Sequence, residues 1–212
     1  VMMITSGRLL FAALLTLAVA GCAPDAAIKP NVVSYNNQGS MAVGAPSTTA
    51  TPQQTKGRYF IEFRSRYALT YGHTYVIFGR LDQAGQMIDR EVAGLAPASN
   101  SAVPYVLGHY IPVPAETGES DGDLDDRFRS ASWRVMLSET EYNKVVAYIR
   151  DLKARSHFWQ ATVNNCNAFV GNIARSMGYK TPGIWLRPQQ YVTKLREMNG
   201  GPNAIGYTGP AG

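Results

Sequence analysis

The sequence predicts an α+β domain, an antiparallel sheet packed against helices. Three observations carry this expectation. The stretches 57–66 and 71–80 are dense in aromatic and β-branched residues, and a turn-forming Leu81-Asp82-Gln83-Ala84-Gly85 separates them from a returning stretch, 86–93. Further along, two segments carry apolar residues at helical spacing behind recognisable N-terminal caps. The composition, 45% hydrophobic and 17% charged with 20 Gly and 12 Pro, is that of a globular chain and excludes fibrous, coiled-coil and wholly disordered descriptions.

In chain order, 57–66 reads as an aromatic-rich strand, 71–80 as a stronger one and 86–93 as its antiparallel partner. After a loop at 94–101, residues 103–113 are expected to add a strand that Pro104 and Pro112 confine to an edge. Residues 114–129 form an acidic loop. The alternation Asp121, Asp123, Asp125 resembles a calcium loop, but position six of an EF-hand would be Gly and is Asp126, and position twelve would be Glu and is Ser132. No metal is expected there; the loop is expected to be solvated or to rim a substrate. A strand at 131–137 precedes Ser138-Glu139-Thr140-Glu141, a capping box that opens a helix reaching about Ala154, with Tyr142, Val145, Val146, Ile149 and Leu152 on one face. Asn164 and Asn165 are suitable caps for a helix at 166–177, whose stripe is Cys166, Phe169, Val170, Ile173, Ala174 and Met177 and which Gly178 can stop. A last helix begins at Pro188, with Tyr191, Val192, Leu195 and Met198 facing inward, and ends before Gly200-Gly201.

The domain organisation follows from the N-terminus. Residues 1–21 have the anatomy of a secretion signal: Arg8, then twelve apolar residues from Leu9 to Ala20, too few to span a bilayer core of about 30 Å. Val19-Ala20-Gly21-Cys22 resembles the bacterial lipobox. That resemblance implies cleavage before Cys22, acylation of Cys22, and a lipid-anchored protein of the bacterial cell envelope facing the periplasm or cell surface. Residues 22–56, rich in Pro, Gly, Ser, Thr, Asn and Gln, read as a flexible tether, and 57–212 as one folded domain. Twenty Lys+Arg against 15 Asp+Glu give +5, a modest and scattered surplus that does not describe a nucleic-acid binder. The expected partner is the membrane, through the acyl chains.

Only two cysteines are present, Cys22 and Cys166, so acylation of Cys22 leaves Cys166 a free thiol in an oxidising compartment. Its place in the first turn of a helix favours a reactive thiolate, and His73, in the strongest strand with Tyr75 two residues on, can supply the base if that helix packs across the strand. A third group should orient the imidazole. Asp89 and Glu91 share a face of the returning strand and both qualify, with His109 a remoter alternative. No motif for a cofactor and no Cys/His cluster for zinc is present, so neither is expected.

Gly72-His73 followed by the apolar run 75–78, then a polar residue on the next strand, then Asn165-Cys166-Asn167-Ala168-Phe169 at a helix start, resembles the circularly permuted branch of the NlpC/P60 papain-like hydrolases, which includes the lecithin-retinol-acyltransferase-like proteins. The resemblance covers roughly residues 70–180. It implies a papain-like fold, Cys166 as nucleophile, His73 as general base and a polar residue near Asp89 as orienter. The expected activity is hydrolysis or acyl transfer at an amide or ester; a periplasmic address suits a peptidoglycan stem peptide as substrate, with an amide in a lipid or protein next, and a tethered binding or scaffolding domain that kept the fold and lost the chemistry is the alternative.

Overall fold

The computed structural model describes residues 33–35, 58–68 and 71–201. The signal segment, Cys22 and nearly all of the expected tether lie outside these residues. The elements are β1 (Val33–Tyr35), β2 (Arg58–Arg66), β3 (His73–Leu81), β4 (Met87–Gly94), β5 (Ala96–Pro97), α1 (Ala102–Leu107), β6 (Val113–Glu116), β7 (Arg129–Leu137), α2 (Glu139–Arg155), β8 (Phe158–Trp159), α3 (Cys166–Ser176) and α4 (Pro188–Met198). A five-stranded sheet has the order β1-β7-β2-β3-β4, antiparallel except for the parallel pair β1–β7, and a small second sheet has the order β5-β6-β8. The expected α+β class holds, with the sheet packed against helices.

Both faces of the large sheet are covered, which is why β2 and β3 read as nearly continuous apolar runs rather than as strict alternation. Ile61, Phe63, Val76, Phe78, Ala131 and Trp133 point to one face, where they meet Ile149 of α2, Phe169 and Ile173 of α3, and Leu195 of α4. Phe60, Tyr75, Ile77, Leu81 and Val92 form a second cluster on the other face. The α2 capping box is as read: the Glu141 N–H donates to the Ser138 hydroxyl at 3.3 Å, and the Ser138 N–H donates to the Glu141 carboxylate at 2.8 Å.

Four expectations are corrected. Residues 103–113 are not one strand: Ser101 caps α1 by accepting from the Val103 N–H at 3.2 Å, and Pro104 sits in that first turn, where a missing N–H costs nothing. The strand is delayed until β6. Met198, in the last turn of α4, is 37% exposed rather than inward. Within the span expected to be a featureless tether, Val33–Tyr35 pair their backbone with 131–133 and cover an edge of β7 that would otherwise leave its ladder groups open. The acidic loop is not simply solvated. β2 places Glu62, Arg64 and Arg66 on the second face, and buried guanidinium groups need counter-charge. The loop supplies it: Asp123, 1% exposed, accepts from Arg66 Nε, Asp126 accepts from Arg64 at 3.0 Å, and Leu124 packs on the second cluster. Asp125 accepts from Arg127 instead.

Candidate active site

Two glycines set the position of His73. Gly72 has φ +83°, and a Cβ there would come 2.7 Å from the Arg66 carbonyl oxygen, so the tight entry into β3 demands glycine. Gly94, on β4, leaves room for the imidazole; a Cβ there would lie 2.7 Å from His73 Nε2. The ring stacks on Tyr75 at 5.7 Å and 13°, on the second face of the sheet. Burial pushes its pKa down to about 4, with Arg66 reinforcing the shift and Asp123 opposing it.

That shift has a consequence for stability. Between pH 6.5 and 4 the unfolded chain binds a proton at His73 and the folded chain does not, so stability falls as pH falls through this window. The loss is complete below about pH 4 and amounts to about 3 kcal/mol. Urea unfolding of the wild type at pH 7 and 4 should show it, and His73→Gln should remove this component; equal pH dependence in the two proteins would contradict the buried, neutral imidazole.

Cys166 is the first residue of α3 and is partly buried. The caps on either side hold it in place. Asn165 Oδ1 accepts from the Ala168 N–H at 2.9 Å, while its amide donates to the carbonyls of Ala161 and Ile184 at 2.8 and 3.1 Å. The Asn167 amide donates to Ile184 and Leu186 at 3.0 and 2.7 Å, and its Oδ1 accepts from the Thr74 hydroxyl at 2.6 Å. Backbone and side chain of Thr74 and the backbone of Asn167 and Cys166 favour the thiolate, but burial outweighs them and the thiol pKa is raised. The helix-start position therefore does not lower it as expected, because desolvation exceeds the local dipoles.

His73 opens β3 and Cys166 opens α3, with Thr74 next to the histidine in the chain and against the sulfur. Strand alternation sends the His73 ring to the face opposite the Thr74 side chain, and ring and thiol share no hydrogen bond. Tyr105 of α1 sets its ring against that of Trp159, at 5.8 Å. Its pKa is raised, first by burial and then by the charges of Glu116, Cys166 and Asp123, against the opposing Arg66.

The expected third residues are elsewhere. Asp89 pairs in register with Arg80, seven residues along β3 from His73 and so about 23 Å away, and its carboxylate accepts from Arg80 Nε at 2.7 Å. Its position beside the hairpin turn is the reason. Glu91 accepts from Arg150 of α2. His109 is exposed, with Nδ1 2.8 Å from the Tyr105 carbonyl oxygen and its ring 5.7 Å from Tyr71. The carboxylate whose charge reaches His73 is Asp123, from the acidic loop, expected from the sequence to be solvated or to rim a substrate and not to supply this charge. Thr74 and the role of Asn167 were also not anticipated, although asparagines on both sides of Cys166 are a visible signal. Among the described residues, no group of three or more His, Cys, Asp or Glu is placed to hold a metal ion.

No protein-family model, curated protein or solved structure matches this chain.

Proposed function

We propose that the chain is a thiol-dependent hydrolase or acyltransferase of the permuted NlpC/P60 papain-like type, lipid-anchored at the cell envelope through Cys22 and acting on an amide or ester such as that of a cell-wall peptide or a lipid. One observation carries this reading: Cys166 opens α3 with first-turn N–H groups and Thr74 around its sulfur, at the end of β3 that begins with His73. With the imidazole pKa near 4 and the thiol raised, both groups are neutral at pH 7. His73 then works as a general base during attack, rather than as half of a standing ion pair. The Cys166 sulfur bonds to the carbonyl carbon, its proton passes to His73, and Asp123 stabilises the imidazolium. The leaving amine or alkoxide takes that proton and departs, and water cleaves the thioester to release the acid and restore the thiol. Backbone N–H groups at the start of α3 stabilise the oxyanion. Because the resting ring stands on the face opposite the Thr74 side chain, this step requires the imidazole to turn toward the sulfur when substrate binds.

A second reading has a specific observation in its favour. A raised thiol pKa, a lowered imidazole pKa and no hydrogen bond between them suit a tethered binding domain without chemistry. Treatment with an activated ester, p-nitrophenyl acetate, separates the two: the catalytic reading expects an acetyl adduct on Cys166 by mass spectrometry, absent in Cys166→Ser. An unmodified Cys166 favours the binder. The anchor is tested independently, by mass spectrometry of the mature N-terminus in the wild type and in Cys22→Ser.

A further inference from the structure

Residues 95–115 contain no Asp, Glu, Lys or Arg, and neither do residues 157–174. The fold brings these stretches together beside Cys166. The Ala161 N–H donates to the Gly108 carbonyl at 2.9 Å, and the Trp185 indole N–H donates to the Thr162 carbonyl at 2.8 Å. The result is a collar in which Val106, Leu107, Tyr110, Ile111, Val163 and Trp185 are 45 to 78% exposed, and α1 has no buried residue. Contiguous exposed apolar surface of this kind marks an interaction site. Its location is fixed by Val163, three residues before Cys166, and by Tyr71, just before β3, whose ring lies 5.7 Å from that of His109.

The strand register shows where an anchor chain arrives. Val33 pairs with Ala131, Ala131 with Ser65, and Ser65 with Thr74, one row across four strands. Val33 therefore enters the sheet about 14 Å to the side of the residue that touches the Cys166 sulfur. β1 runs parallel to β7, away from this end, so its first residue, Val33, stands at the end that bears the collar. Ten residues lie between Cys22 and Val33, eleven steps and so at most about 40 Å of extended chain.

We infer that the collar is a second membrane contact, seated in the bilayer interface, which turns the Cys166 end of the domain toward the lipid headgroups. Exposed Tyr and Trp among aliphatic side chains, most of them on stretches without Asp, Glu, Lys or Arg, suit that interface, and the short anchor chain makes the bilayer the nearest apolar medium. The inference rests on the lipid-anchored thiol-enzyme reading and adds an orientation to it.

The test uses the mature acylated protein on phosphatidylcholine vesicles with brominated acyl chains. Trp133 and Trp159 are buried and Trp185 is exposed, so lipid bromine should quench a part of the emission that Trp185→Phe removes. Val106→Asp should weaken the quenching, and high salt should leave it unchanged, because the contact is apolar. Protein that floats with the vesicles but is not quenched overturns the inference, as does quenching abolished by salt; failure to float removes the anchor on which it rests and overturns it too. The acetyl adduct on Cys166, measured on the same protein in detergent, reports the chemistry separately, so loss of the adduct with quenching retained rejects the enzyme and keeps the membrane contact.

Discussion

Replacing Glu62 with glutamine is expected to destabilise the fold by about 3 to 5 kcal/mol. Glu62 is fully buried on the second face of the sheet and accepts hydrogen bonds from Arg64 and from Arg134, the latter at 2.7 Å through Nε. The side chains of both arginines are below 10% exposed, and Arg134 lies over the Phe60 ring at 5.1 Å. An amide removes the one charge these two guanidinium groups share at close range. Asp126 reaches Arg64 but is itself well exposed, so it offsets little of the loss. Asp89→Asn, which breaks the exposed pair with Arg80, should by contrast cost less than about 1 kcal/mol. Urea unfolding of the two variants at pH 7 measures both; a Glu62→Gln loss below that of Asp89→Asn would contradict the buried network.

Four of the five strands of the large sheet and the three long helices are legible in the sequence because their signals are local. The hairpin of β3 and β4 lies within one residue or two of its expected limits, and the Ser138 capping box and the Asn165 cap work as read. Where the reading failed, tertiary placement decided. Pro104 reads locally as an edge-strand residue, but Ser101 three positions earlier makes it a first-turn helical one. The acidic loop resembles a calcium loop in sequence, but its carboxylates answer arginines on β2 that sit about sixty residues earlier, a pairing no local pattern shows. The same long-range placement hid Asp123 as the charge near His73 and offered Asp89 in its place, since two residues on a neighbouring strand look equivalent until the register is known. The helix-start thiol was expected to ionise easily, and only its burial reverses that.

The second large effect concerns the reaction at Cys166. If His73 accepts the thiol proton, His73→Ala should slow acylation of Cys166 by about 10²- to 10⁴-fold while the far-ultraviolet circular dichroism stays that of a folded chain. The pH dependence carries the sign. A general base acts only when unprotonated, so the wild-type rate should rise through about pH 4, where the imidazole loses its proton, and level off from about pH 5 toward neutrality. The raised thiol pKa excludes a large contribution from free thiolate across that plateau. The decisive measurement is therefore the rate of acetyl transfer from p-nitrophenyl acetate to Cys166, followed by mass spectrometry from pH 3.5 to 8 in the wild type and in His73→Ala. A rate that climbs near pH 4 and then stays level in the wild type, and collapses in the variant, is the predicted result; a rate that climbs only toward pH 8 or above and is the same in both proteins would contradict a His73-assisted thiol.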